Sequence, residues 1–178
     1  MTVAINSVLL PVCSVPPSMV VDTIEAARKK LIELATDALH KSEGELVIRD
    51  LFPTDLGLTY EHWFEKTGAT ANAWENTSIA SKTMGDERFV AITGVLDLSV
   101  GTPASALRIT VGGSKVAQWH LDKLAQQESR REGITLSPII ITQNQPITID
   151  RYVKEINQGT EIVYQGLVCE KIGKVLKP

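Results

Sequence analysis

The sequence predicts a mainly β fold, an antiparallel β-sandwich preceded by one long N-terminal amphipathic α-helix. Three observations carry this expectation. Apolar residues keep a sustained helical spacing between Val20 and Ala38. After Gly44 the chain turns into short β-branched and apolar runs. Those runs are punctuated by turn-forming clusters at the spacing of a sandwich or barrel.

Residues Thr2 to Leu10 are rich in β-branched and apolar types and read as an extended segment stopped by Pro11, Pro16 and Pro17. The helix follows, expected over residues 18–42, with Ser18 as N-cap and Asp22 and Glu25 near the positive end of its dipole. Val20, Ile24, Ala27, Leu31, Leu34 and Ala38 recur at intervals of three and four, which gathers them on one face. This face is the candidate assembly surface, to be packed on the sandwich or on a second copy. It lacks the aromatic anchor and strongly basic flank of a helix that lies on a membrane. Lys41 and Gly44 supply a basic last turn and a stop.

Strands are expected at Glu45 to Leu51, Ser78 to Lys82, Arg88 to Ser99, Ala106 to Val111, Thr135 to Thr142, Pro146 to Val153 and Glu161 to Cys169, with Ile172 to Leu176 as a further candidate. Gly94 inside the third run marks a bulge or a close backbone approach. Turns fall at Gly101-Thr-Pro103, Gly112-Gly113, Gln143-Asn-Gln-Pro146 and Asn157-Gln-Gly159. Lys115 to Gln127 reads as an edge strand running into a short helix, and Thr54 to Thr77 as a loop. No repeat or low-complexity linker divides the chain. A single β-sandwich domain over residues 1–178 is therefore expected, with an extended arm at 1–17.

Composition narrows the function classes. At 178 residues the chain can bury roughly 70% of its unfolded surface, and 43% hydrophobic against 22% charged residues is far from a disordered composition. Its 18 basic and 21 acidic residues are interspersed, so no footprint for a phosphate backbone is visible and direct nucleic-acid binding is not expected. The first ten residues lack the basic start of a secretion signal, and no run reaches the length of a membrane span. Cys13 and Cys169 each sit in an apolar stretch and read as small buried thiols, with a bond between the chain ends as the alternative.

No pattern declares chemistry. His40, His62 and His120 form none of the paired spacings that place two imidazoles on one metal. Gly112-Gly113-Ser114-Lys115 lacks the order of a phosphate-binding loop and reads as a β-turn. Cys169 has no partner histidine by pattern, and its apolar setting would raise a thiol pKa. Neither catalytic residue, cofactor nor metal is expected. Asp50, Asp55, Glu61, Glu65, Asp86, Glu87 and Asp97 remain the pool from which a fold could assemble a glycosidase-type acid pair. Trp63, Trp74 and Trp119 would make a sugar-stacking platform if they shared one β face.

Within this class, Arg88-Phe-Val-Ala-Ile-Thr-Gly94, Leu107-Arg-Ile-Thr-Val-Gly-Gly113, Ala117-Gln-Trp119, Leu136-Ser-Pro-Ile-Ile-Ile141 and Gly166-Leu-Val-Cys-Glu170 form a strand pattern over about half the chain. It resembles that of the single jelly-roll major capsid proteins of tailless icosahedral viruses with an internal membrane. The resemblance implies a jelly-roll-like sandwich standing in a shell, located in the virion. It implies partners that are copies of the chain, other capsid proteins and an internal membrane. The helix at 18–42 departs from the simplest form of that family. Shell building needs extensive subunit contacts rather than a pocket, and chain ends held in order fit such contacts. The expected function is thus a structural, self-assembling protein and not an enzyme. A carbohydrate- or ligand-binding sandwich is the alternative, and a hydrolase a third.

Overall fold

A computed structural model gives the fold and describes residues 7–124 and 131–173. Two antiparallel sheets pack face to face, and one long helix lies against the outer face of the first. In chain order the elements are β1 (Leu9–Pro11), the helix α1 (Pro17–Leu39), β2 (Leu46–Asp50), β3 (Phe64–Lys66), β4 (Ala73–Asn76), β5 (Lys82–Thr83), β6 (Arg88–Asp97), β7 (Ala104–Val111), β8 (Ser114–His120), β9 (Arg131–Ile141), β10 (Pro146–Val153) and β11 (Gly159–Lys171). The first sheet runs β1-β9-β6-β11-β2, with β3 paired to the start of β11. The second runs β4-β10-β7-β8, with β5 beside the start of β10.

The main core lies between the sheets. Val90, Ile92, Val95, Tyr164 and Val168 of the first sheet meet Leu107, Ile109, Ala117, Trp119, Ile147 and Ile149 of the second. Trp119 is the largest buried side chain, and its indole N–H donates to the Ser7 carbonyl at 3.1 Å, so the buried ring leaves no donor unpaired. The same N-terminal stretch ties the sheets together along one edge. Its β1 pairs with β9, while Ser7 bridges to Ala117 of β8 and donates its N–H to the Val116 carbonyl.

A second, smaller core lies on the other face of the first sheet. There Ala27, Leu31 and Ala35 of α1 press on Phe89, Ala91 and Cys169. Strand β6 therefore has apolar layers on both sides, which explains why Phe89 to Val95 is a near-continuous apolar run instead of an alternating one.

Several local expectations are corrected. Helix α1 starts at Pro17, with Pro16 and not Ser18 at the N-cap, because proline's fixed φ suits the first helical position. It ends at Leu39 on a left-handed His40, short of residue 42 and of Gly44. The run from Ser78 is a strand only at Lys82–Thr83. Ser81 sits at φ 51°, breaking the extended path, and Ile79 is buried as a core plug. The segment from Thr54 to Thr77 holds the strands β3 and β4, whose three or four residues are too short to show an alternation. After β8 the chain makes a 3-10 turn at Leu121–Lys123, and the helix expected beyond it falls outside the described residues. Ile172 lies in a turn; the rest of the last candidate strand, and the ordering expected of both chain ends, fall outside as well.

Two other expectations hold. Gly112-Gly113 forms a two-residue hairpin turn with φ of 59° and 80° at the glycines, closing β7 onto β8. Gly94 lies at a bulge where β6 loses register with β9, and the neighbouring β11 shifts register between Gln165 and Gly166. A β-carbon on Gly94 would lie 2.2 Å from the Gly133 carbonyl oxygen, and one on Gly166 would lie 2.1 Å from that of Ala91.

Candidate functional site

Among the described residues, most charged side chains that reach the interior are spent on one another. Arg49 of β2 and Arg88 of β6 share Asp55 and Glu170 in a closed ring of two cations and two anions. Arg49 binds both Asp55 oxygens at 2.7 Å and Glu170 at 2.8 Å, and Arg88 binds Glu170 at 3.0 Å and Asp55 at 3.2 Å. The Asp55 hydrogen bonds raise the Arg49 guanidinium pKa against the opposing effect of burial. Arg151 of β10 points inward and binds Glu75 at 2.6 Å, Glu65 at 3.0 Å, the Thr160 hydroxyl at 2.8 Å and the Lys66 carbonyl. Asp97 meets Arg131 at 3.3 Å. Three of the seven acids expected to offer a catalytic pair, Asp55, Glu65 and Asp97, are thus arginine partners. Of the others, Asp50 and Glu61 are exposed, and Asp86 and Glu87 lie in the turn before β6.

The remaining sequence candidates are scattered. His40 caps α1, His62 stacks on Tyr60 with ring centroids 4.4 Å apart, and His120 ends β8; all three are exposed. Both cysteines are free. Cys169 is buried, and burial together with the nearby Glu170 charge pushes its thiol up to about 11. Cys13, expected to be buried, is exposed because the prolines around it hold it on a short 3-10 turn at the surface. The tryptophans do not share a face. Trp119 is in the core, Trp63 packs edge-on to Tyr164 at the core margin, and Trp74 lies half-buried on the second sheet.

The helix face is divided. Ala27, Leu31 and Ala35 are fully buried and Thr23 is buried with them, whereas Val20 and Leu34 are half-buried, Ala38 is exposed and Ile24 is 39% exposed. The buried stripe is rotated from the expected one because it recurs every four residues, and its small side chains let α1 sit close to the sheet. Contact with the sheet is made by Phe89 and Ala91, which precede the bulge in β6, and by Cys169, which follows the one in β11. Bulges bend strands and increase their twist, and beyond these two the helix no longer covers the sheet.

There a groove of about 400 Å³ opens, with Val12, Val20 and Ile24 on one wall and Ile134, Val163 and Leu167 on the other. Gln165 and Glu132 sit on its floor, joined by a 2.7 Å hydrogen bond. The uncovered face continues past the groove. Leu96 and Val163 are in register on β6 and β11 and point away from the core that Val95 and Tyr164 enter. Farther along, the Leu98 N–H donates to the Glu161 carbonyl, and Glu161 pairs in turn with Phe64 of β3. Leu98 is 50% and Phe64 47% exposed, and Val100 in the following loop is 92% exposed. Sequence reasoning missed this face; its signal is that Leu96, Leu98 and Val100 continue an apolar alternation past the end of the strand.

No family model and no curated protein matches the chain.

Proposed function

We propose that this chain is a structural, self-assembling subunit, a coat protein of the viral shell kind, which joins copies of itself through the half of the first sheet that α1 leaves uncovered. The observation that carries the reading is the set of apolar side chains on one face, from Val20 and Ile24 across Leu96 and Val163 to Leu98, Phe64 and Val100, with Glu132 and Glu161 among them. A monomer that worked alone would keep large side chains of this kind scattered, whereas their gathering on one face marks a contact surface. The closed ion-pair ring and the Arg151 cluster support the same reading, because they stiffen the sandwich without offering groups to a substrate. Placement in a shell, a jelly-roll relationship and neighbouring coat proteins or an internal membrane as contacts belong to this proposal. Among the described residues no helix is long and apolar enough to cross a membrane.

The test is light scattering after size exclusion at several concentrations, with electron microscopy of the same fractions. Wild type is expected to form larger species as concentration rises. Leu98→Lys combined with Ile24→Lys is expected to stay monomeric with an unchanged melting temperature, since both positions are already open to solvent. A wild type that stays monomeric at every concentration would sink the proposal.

A further inference from the structure

We infer a second functional surface, on the outer face of the second sheet: a binding site for a neutral saccharide, built around Asp150. Four polar side chains stand in register across the four strands of that sheet. Asn76 of β4 pairs with Asp150 of β10, Asp150 with Arg108 of β7, and Arg108 with Gln118 of β8. The neighbouring register row carries Trp74 and Tyr152, packed edge to face at 5.5 Å, with His120 at its far end. All of these point away from the core, because the alternate residues Ile149, Leu107, Ile109, Ala117 and Trp119 fill it.

Asp150 is what asks for a ligand. It is only 6% exposed, and Arg108 donates from both Nε and Nη2 to the single oxygen Oδ2, at 2.8 and 2.7 Å. The other oxygen, Oδ1, is buried and has no hydrogen-bond partner. A buried carboxylate oxygen without a donor is costly, and it is met by an ordered water or by a ligand's donor. Arg108 lies beside it: its side chain is one-third exposed and rests over the Trp74 ring, 4.6 Å from the centroid. The inferred site requires this side chain to shift along that ring, so that Oδ1 opens beside the aromatic face.

The chemistry of the row selects the ligand class. Amide, carboxylate, guanidinium and amide alternate acceptors with donors, as do the hydroxyls of a sugar ring, and the aromatic row matches a ring's apolar C–H face. Asp150 and Arg108 cancel in charge, which disfavours phosphates and strongly cationic ligands. Strand spacing makes the row about 14 Å across, the length of a short linear oligosaccharide. The three tryptophans do not make this platform together; one of them, Trp74, does so with a polar row.

The full-length protein is screened on a glycan array and then titrated calorimetrically with neutral glucan, xylan, mannan and galactan tetrasaccharides. At least one class is expected to bind saturably, and Trp74→Ala and Asp150→Asn each to weaken it by about tenfold or more. Gln118→Ala and Asn76→Ala alter exposed positions and test the row if Asp150→Asn fails to fold; both are expected to weaken binding. Leu98→Lys, on the other sheet, leaves binding unchanged and so separates this surface from assembly. No binding at millimolar saccharide overturns the inference. So does binding that Trp74→Ala and Gln118→Ala leave undiminished, or binding of arginine amide with no saccharide bound.

Discussion

Truncating Leu31 to alanine tests whether α1 is fastened to the sheet by the stripe that ends its covered half. The leucine is fully buried against a layer that contains Phe89, Ala91 and Cys169. Removing three buried carbons loses about 2.5 kcal/mol of transfer free energy. The second core is small and flat, with Ala27 and Ala35 on either side, so neighbouring side chains cannot close the space. The residual cavity brings the expected cost to about 3 to 4 kcal/mol. For a domain of this size that is a fall in melting temperature of roughly 10 °C. Ile24→Ala on the same helix, at a position 39% exposed, is expected to change stability by less than about 0.5 kcal/mol. Urea and thermal unfolding of both variants, followed by circular dichroism, give the comparison. Equal losses at the two positions, or a larger loss at Ile24, would refute the assignment of the buried stripe and return Ile24 to the core.

Two further outcomes follow from local geometry. Gly94→Ala and Gly166→Ala each drive a β-carbon to within about 2 Å of a backbone oxygen, which cannot move aside as a side-chain end would; both should cost several kcal/mol or prevent folding. Gly44→Ala, with nothing within 4 Å, should be close to neutral, and soluble expression with thermal melts separates the cases. The Cys169 thiol, raised from 9.0 to about 11 by burial and by Glu170, gives a pH dependence of defined sign. The unfolded thiol ionises first, so stability that is fully present below about pH 9 is lost as pH rises to about 11. The difference in melting temperature between wild type and Cys169→Ala should shrink across that window, and a constant difference would rule the effect out.

What the chain determined by itself is the part governed by local pattern. The helix, the bulge at Gly94 and the hairpin at Gly112-Gly113 follow from spacing of three and four, from a glycine inside an apolar run and from two residues able to hold positive φ. Strand β10 was legible to the residue, because Pro146 opens it and Ile147, Ile149 and Val153 alternate along it. Strands β3 and β4 were not, since a segment of three or four residues owes its conformation to the backbone it pairs with. Tertiary structure alone decided which helix residues are buried, because a helix has no preferred face until a surface is offered to it. The two register shifts in the sheet set where that surface ends. Neither candidate surface could be assembled from the chain alone for a related reason: Ile24 and Phe64, or Asn76 and Gln118, come together only through tertiary packing and strand order. The apolar face is a stretch of sheet that the helix does not reach, and the polar row is a line across four strands, each contributing a single side chain.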